Sequence, residues 1–211
     1  PLALALEPLA RLARGAMVVT AGESLDAFAR DYADGGWRVD RALLDVLAQP
    51  LGSAQREMVD RVARRLYERW IDEGARRLQA IVAAGPAGVR ERVAAYRADP
   101  ETCFLFVDGL RFDLGVRLGE MLETRELRVR LSHRLAPLPT VTPTAKPLAT
   151  PVVDAVGGVA SAEMFMPRLG AEGRAADAVR LRDEMARRGF AVMERGETRI
   201  PAGATPGGWT E

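Results

Sequence analysis

The pattern of apolar and polar residues separates a helical first half of the chain from a mixed second half. Up to residue 99, apolar residues recur three or four positions apart, as on one face of a helix. Ser24 and Ser53 are predicted N-caps, since a serine hydroxyl accepts a hydrogen bond from a first-turn N–H. Gly35-Gly36 is predicted to interrupt the helices. The pattern predicts helices over residues 2–14, 25–32, 37–47, 53–83 and 87–98, and a short strand over residues 16–20.

The pattern of apolar and polar residues changes after Pro100. Residues 103–107 form a continuous apolar run that ends at Asp108-Gly109, and this predicts a buried strand of a parallel sheet. Helical spacing over residues 110–122 follows, and residues 127–135 then alternate apolar and polar like a second strand. A carboxylate after a buried strand lies where open α/β sheets bind their ligands.

Prolines dominate the next segment and limit its structure. Residues 136–151 contain five prolines, so a long regular helix is excluded, although Pro143 suits the first turn of a short one. The remaining predictions are a break at Gly157-Gly158, a helix over residues 174–188, a strand over residues 190–193 and a loop over residues 196–208. We therefore expect an α/β protein: a helical region over residues 1–99, and over residues 100–211 a mostly parallel sheet flanked by helices.

Composition and charge narrow the class of protein. Apolar residues make up 48% and charged residues 28% of the 211, which is ordinary for a globular protein. The net charge of +1 gives no overall attraction to nucleic acid or membranes. A single cysteine excludes an internal disulfide, and the longest apolar run is far below the roughly 20 residues that span a bilayer. We expect a cytoplasmic protein. From its first and last residues, we also expect the sequence to be a piece of a longer protein.

Asp108 is the first candidate for chemistry. Carboxylate oxygens bind divalent cations, so Asp108 is a metal-ligand candidate, although capping of its own loop is an alternative. Asp113 lies one turn into the predicted helix and could pair with Arg111 or Arg117. His133, the only histidine, fits a strand position better than a ligand position.

Thr140, Thr142 and Thr144 alternate within the proline-rich segment. A threonine hydroxyl becomes a nucleophile only when a base or a metal lowers its pKa. With a helix opened by Pro143, free N–H groups beside Thr142 would form an anion site, and Lys146, the only lysine, could contact a phosphate. The alternatives are a rigid proline-braced loop and an ordinary surface lysine.

Two motifs together resemble a known family. They are Phe106-Val-Asp-Gly-Leu-Arg-Phe-Asp113 and Ala136-Pro-Leu-Pro-Thr-Val-Thr-Pro-Thr-Ala-Lys-Pro147, and they resemble the opening of a PglZ domain. That family belongs to the alkaline phosphatase superfamily, and its proteins are components of the BREX and Pgl bacteriophage-exclusion systems. The resemblance covers residues 100–211 well and the first half loosely. It implies an alkaline-phosphatase-like sheet, of which these residues would form the first part.

The resemblance also implies a two-metal phosphoryl hydrolase. By position, Asp108 would bind one of two metal ions, usually zinc, with manganese or magnesium as alternatives, and Thr142 would be both the nucleophile and a metal contact. Lys146 or Arg111 would hold the phosphate, because the chain has no asparagine to match the one that related phosphodiesterases use. The substrate would be a phosphate ester, a nucleotide or a nucleic acid, and the partners would be other BREX proteins.

A further departure from the family pattern limits what this chain can do. The superfamily's remaining ligands are Asp and His residues much further along, and one histidine cannot supply them. We therefore expect these 211 residues alone to be inactive, while the complete protein is a phosphatase or phosphodiesterase. The alternative is a catalytically inactive scaffold that docks through its helical region. A Rossmann-type nucleotide binder is disfavoured because Asp-Gly-Leu-Arg, not a glycine-rich loop, follows the predicted strand.

Overall fold

A computed structural model describes residues 2–18, 22–85, 96–170 and 173–193. The chain forms two compact units, each made of two stretches of sequence. The first unit comprises residues 1–87 and 108–135, and the second comprises residues 88–107 and 136–211.

The first unit is helical and has its own core. Leu12 and Val46 are fully buried there, and Val59 and Ala63 of the long fourth helix pack against them. Burial of one face of each amphipathic helix is what holds such a layer together. The helices are α1 Leu2–Ala16, α2 Leu25–Asp31, α3 Trp37–Leu47, α4 Ser53–Ala84 and α5 Phe112–Glu123.

The local signals at the helix ends have mixed outcomes. The Ser24 cap is confirmed, because its hydroxyl accepts a hydrogen bond from the Ala27 N–H. The Ser53 cap is wrong: Gly52 occupies the N-cap position and Ser53 is already helical. Gly35-Gly36 does not interrupt the helices either, since a π-helical segment, Tyr32–Gly36, joins α2 to α3. The predicted strand over residues 16–20 is also wrong as far as residue 18, and residues 19 and 20 lie outside the described residues.

Helix α5 belongs to this helical unit, although about 65 residues separate it from α3 along the chain. It confirms the helix predicted over residues 110–122. Arg41 of α3 donates from both terminal nitrogens to the two carboxylate oxygens of Glu120, each at 2.8 Å. The segment that begins at Asp108 is thus supported by the helical unit, although the sequence analysis had assigned it to a separate region after residue 99.

The two strands predicted on either side of α5 are not formed by the described residues. Residues 103–107 and 127–135 have no strand pairing within the described part of the chain. The first run is also exposed rather than buried, with Leu105 at 82% and Phe106 at 54%. A buried parallel strand needs neighbouring strands, and the described residues pair none with this run.

The second unit combines two helices with a small sheet. Val152, Val156, Leu169 and Leu181 form its core. The sheet is antiparallel with the order β1-β2-β3, and Val156 pairs with Leu169. The elements are α6 Thr142–Ala149, a 3₁₀ turn Val153–Ala155, β1 Val156–Ser161, β2 Met166–Leu169, β3 Arg174–Ala175 and α7 Ala178–Arg187.

Pro143 opens α6 as predicted, but several boundaries in this unit differ. Gly157-Gly158 lies inside β1 rather than at a break. The predicted helix over residues 174–188 starts only at Ala178, because Arg174 and Ala175 pair with β2 and Asp177 caps α7. Residues 190–193 form no strand. The predicted loop over residues 196–208 and most of the predicted helix over residues 87–98 lie outside the described residues.

The chain is therefore a mixed α/β protein in which helices predominate. The parallel sheet expected from the sequence is not formed by the described residues, whose three strands are all antiparallel. No helix among them is long and apolar enough to cross a bilayer.

Candidate functional site

The four candidate site residues divide between the two units. Asp108 and Arg111 belong to the helical unit, and Thr142 and Lys146 belong to the second unit. Each pair is described by its own surroundings.

Asp108 occupies an exposed turn directly before α5. Gly109 completes the turn with a φ of 71°, a left-handed conformation that glycine adopts without strain. A side chain at Asp108 is therefore presented to solvent at the mouth of a tight turn. This presentation suits a ligand for a cation.

Arg111 is engaged by carboxylates on both sides. Its Nε donates to Asp113 Oδ1 at 2.9 Å and its Nη2 to Asp113 Oδ2 at 3.2 Å. The same Nη2 lies 3.3 Å from Asp40 Oδ1 in α3. Of the pairings predicted for Asp113, the one with Arg111 is confirmed.

Asp40 completes a buried polar cluster that the sequence analysis missed. Asp40 is 6% exposed, and its carboxylate accepts hydrogen bonds from the phenols of Tyr32 and Tyr67, both at 2.6 Å. Asp113 is 1% exposed. A signal was present in the sequence: Asp40 is three residues after Trp37 and four before Leu44, so it lies on the apolar face of α3. Such a carboxylate is buried only with partners.

The electrostatics of the cluster follow from its burial. Burial, and next to it the hydrogen bond to Asp40, raises the pKa of Tyr32 and that of Tyr67 well above the ordinary value for tyrosine. For Arg111, partial burial works to lower the pKa, but the bond to Asp113 and the two carboxylate charges raise it overall. Arg111 is therefore a permanent cation and the two phenols are permanent donors at neutral pH.

Helix α6 presents Thr142 as its first residue. Val141 precedes it in an extended conformation, and the Val141 carbonyl accepts from Thr144 N at 3.0 Å and Ala145 N at 2.8 Å. Pro143 has no N–H, so the first turn offers fewer free N–H groups than helices ordinarily do. An anion beside Thr142 would thus rely on side chains more than on the helix end.

The three threonines of the segment have different roles. Thr144 is buried, and its hydroxyl donates to the Phe165 carbonyl at 2.5 Å. The hydroxyl of Thr140 donates to the Pro137 carbonyl at 3.2 Å. Thr142 is exposed, and its hydroxyl makes no hydrogen bond to the residues that the structure describes. Thr142 is consequently the threonine whose oxygen is available for chemistry.

Lys146 lies on the same face of α6 as Thr142. The two are four residues apart, which is about one helical turn, and both are exposed. Thr144 and Pro147 form the buried face. An ammonium group and a hydroxyl thus flank one exposed helix surface.

His133 is exposed, and its ring contacts the edge of Phe112 with a centroid separation of 6.2 Å. Across the described ranges, no group of three or more His, Cys, Asp or Glu side chains is arranged to hold a metal ion. Asp108 and Thr142 offer oxygen donors of the kind that divalent cations bind, but zinc ordinarily takes about four ligands. A metal site would need further ligands.

No protein-family model, curated protein or solved structure matches this chain. The likeness to PglZ domains therefore rests on the two motifs that contain Asp108 and Thr142.

Proposed function

We propose that the complete protein is a metal-dependent phosphoryl hydrolase of the PglZ kind, acting in a cytoplasmic phage-defence system of the BREX type. Thr142 is the nucleophile and Asp108 is a metal ligand. The observation that best supports this is the environment of the threonines. Of three hydroxyls within five residues, only that of Thr142 is exposed and without a hydrogen bond to another described residue.

The chemistry assigned to Thr142 is an in-line displacement. Its oxygen forms a bond to phosphorus, the ester bond on the opposite side breaks, and the leaving alcohol takes the proton. Water then cleaves the phospho-threonine and restores the hydroxyl. When bound, two divalent cations (zinc, or alternatively manganese or magnesium) would lower the pKa of the hydroxyl and stabilise the developing charge.

Lys146 is the phosphate contact that we favour. It lies one helical turn from Thr142 on the exposed face of α6, so its ammonium group can reach a phosphate held at the hydroxyl. Arg111 was the other candidate, but two of its three nitrogens already contact Asp113 and Asp40. These contacts use three of the five N–H donors of the guanidinium and hold it against the helical unit.

The finer fold is also part of the proposal. In the complete domain we place residues 103–107 and 127–135 in an alkaline-phosphatase-like, mostly parallel sheet, with the missing strands and ligands supplied by further segments of the protein. The exposed apolar side chains of residues 104–107 support this, because they are 41–82% exposed here and would be buried by neighbouring strands. The 211 residues alone are then expected to be inactive.

The test uses the complete protein and two generic esters, a mono- and a bis-nitrophenyl phosphate, with zinc, manganese or magnesium and with EDTA. Thr142→Ala and Asp108→Ala should each lower turnover by at least about 100-fold. Thr140→Ala is the matched control, since Thr140 is an exposed threonine of the same segment, and it should keep most of the activity.

The intact mass of the protein provides a second measurement that is independent of turnover. A covalent phosphate should accumulate on the protein at low pH or with a slow ester, and it should be absent from Thr142→Ala. Turnover that persists in Thr142→Ala would mean that this residue is not the nucleophile. The preferred ester separates a phosphatase from a phosphodiesterase.

The second candidate is a scaffold that keeps the fold without catalysis. The same exposed apolar run favours it, since contiguous apolar side chains on a protein surface mark interaction sites. Absence of turnover and of a covalent phosphate in the folded complete protein with every metal would support the scaffold. Its partners would be other proteins of the defence system.

A further inference from the structure

Two buried carboxylates share one guanidinium in the helical unit. Asp113 and Asp40 are 1% and 6% exposed, and Arg111 contacts both through Nε and Nη2. Two anions this deeply buried repel one another unless a cation lies between them. The planar fork of an arginine meets such a demand in one orientation only. The position of the Arg111 side chain is therefore fixed from two helices, α3 and α5.

The backbone of Arg111 is fixed as well. Its carbonyl accepts a hydrogen bond from Gly115 N at 2.9 Å as α5 begins. The next residue, Phe112, packs its ring against Tyr32 with a centroid separation of 5.9 Å. Arg111 thus marks a point where the chain is anchored to the helical layer.

The Asp108–Gly109 turn comes immediately before this anchor. Only Leu110 lies between the turn and Arg111. On the other side of the turn, residues 105–107 are 46–82% exposed, and the nearest ring contacts are those of Phe104 with Tyr96 and Phe190. The Arg111 anchor, three residues after Asp108, therefore constrains the turn from its carboxyl-terminal side.

We propose that Arg111 is a positioning residue for the Asp108 turn, held by Asp40 and Asp113, and not a phosphate-binding residue. The proposal rests on the proposed function in that Asp108 is taken as a metal ligand. It gives the helical unit a role in the site: α3, through Asp40, orients a ligand in a segment about 70 residues later. Loss of groups that orient a ligand typically weakens metal binding about 10- to 100-fold.

A matched control is present in the same two helices. Arg41 also joins α3 to α5, through two hydrogen bonds of 2.8 Å to Glu120. Glu120 is nine residues beyond Arg111, or about 13 Å further along α5 at about 1.5 Å per residue. Arg41→Lys therefore makes the same change of side chain in a link between the same helices, away from the Asp108 turn.

The first measurement is backbone NMR relaxation of the full-length protein without added metal. Arg111→Lys keeps the charge between the carboxylates but loses the fork. The amide order parameters of Gly109 and Leu110 should fall from the rigid range, about 0.85, to below about 0.6, whereas Arg41→Lys leaves them unchanged. Unchanged values in Arg111→Lys, or an equal fall in Arg41→Lys, would overturn the positioning role.

A second variant, Asp40→Asn, tests the same role if Arg111→Lys does not fold. Asp40→Asn keeps the shape of the side chain but removes one charge that holds Arg111, and it leaves one acceptor oxygen for the two phenols in place of two. It should lower the same two order parameters by a smaller amount. No change in Asp40→Asn would contradict the assignment of Asp40.

The second measurement is calorimetric titration of the full-length protein with zinc or manganese chloride. Arg111→Lys should weaken the metal Kd about 10- to 100-fold, Arg41→Lys should leave it unchanged, and Asp108→Ala should remove one site. If Asp108→Ala bound metal like the parent protein, Asp108 would not be a metal ligand. The relaxation measurement would still decide whether Arg111 positions the turn. If Arg111→Lys weakened only the binding of inorganic phosphate, Arg111 would be a phosphate contact and the inference would be wrong.

Discussion

Tyr32 and Tyr67 show how one buried residue sets the state of its neighbours. Both phenols donate to Asp40 at 2.6 Å, and Arg111 contacts the same carboxylate. Burial and these bonds raise the pKa of both tyrosines, so the two remain protonated well into the alkaline range. Asp40 thereby receives three donors, which is what allows a carboxylate to lie in the core of a helical layer.

The raised phenol pKa values predict a loss of stability at high pH. A group whose pKa is higher in the folded state contributes its full stabilisation below its unfolded value, about 10 for tyrosine, and loses it as the pH rises towards the folded value. The free energy of unfolding should therefore fall as the pH rises above about 10. Tyr67→Phe should flatten that slope, while costing about 1.5–3 kcal/mol at pH 7 through the lost bond to a charged acceptor.

Urea unfolding across this pH range measures both effects. Tyr96→Phe is the control, since Tyr96 is an exposed tyrosine of the other unit and contacts only the Phe104 ring edge-on among the described residues. An alkaline slope that is the same in Tyr67→Phe and in the parent protein would contradict the assignment.

At the scale of elements, helix α5 is joined to the helical unit through its polar face. Arg41 of α3 binds Glu120 near the end of α5, and the Asp40–Arg111 contact lies at its beginning. The hydrogen bond from Arg41 lowers the pKa of Glu120, and the charge of Arg41 adds to this. Two ion contacts at opposite ends thus fix the direction of α5 across α3.

The lowered pKa of Glu120 predicts a weak acid dependence of this link. A carboxylate with a depressed folded pKa stabilises the protein above its unfolded value, about 4.3, and the stabilisation is lost as the pH falls through the folded pKa. Because the Glu120 side chain is 47% exposed, the link contributes less than about 1 kcal/mol at neutral pH. Glu120→Gln should destabilise the protein by that amount at pH 7 and by nothing near pH 3.

Denaturant unfolding at pH 7, 5 and 3 checks this, with Glu57→Gln as the control. Glu57 pairs with Arg61 within α4 and both side chains are more than 70% exposed, so its substitution removes a pair that joins no two elements. An effect of Glu120→Gln that stays constant from pH 7 to pH 3 would show that charge is not what joins α3 and α5.

At the scale of the whole molecule, the described part of the chain exposes a run of apolar residues. Residues 104–107 are all apolar and are between 41% and 82% exposed. A short segment of high β-propensity without proline or charge is prone to pair with other chains. We expect the isolated 211-residue chain to self-associate as its concentration rises.

Leu105→Arg should reduce this self-association, measured by light scattering over a concentration series. Since Leu105 is 82% exposed, its substitution should change the free energy of unfolding by no more than about 0.5 kcal/mol. Val179→Arg on α7 is the matched control, because Val179 is a single exposed residue at 61% in the same unit. An equal reduction in Val179→Arg would mean that added charge, rather than this run, governs association.

Most of the helices follow from the residue pattern alone, and Thr142 was selected by its motif. Apolar residues at helical spacing predicted α1, α3, α4 and α5, because burial of one face is a local property of the pattern. Pro143 predicted the start of α6, since its fixed φ and missing N–H suit a first turn. Spacing alone could not rank the three threonines by exposure, and the structure shows which of the hydroxyls is exposed and makes no hydrogen bond to another described residue.

Only the tertiary structure decided which elements lie together and which apolar runs are covered. The pattern of residues 103–107 predicted a buried strand, but burial of a strand depends on partners that a local pattern cannot supply. Likewise, the spacing of Asp40, Arg111 and Asp113 does not predict their contact, because about 70 residues separate Asp40 from the other two. Contacts between distant segments are also the basis on which we propose Arg111 as an anchor, since buried carboxylates hold its Nε and Nη2.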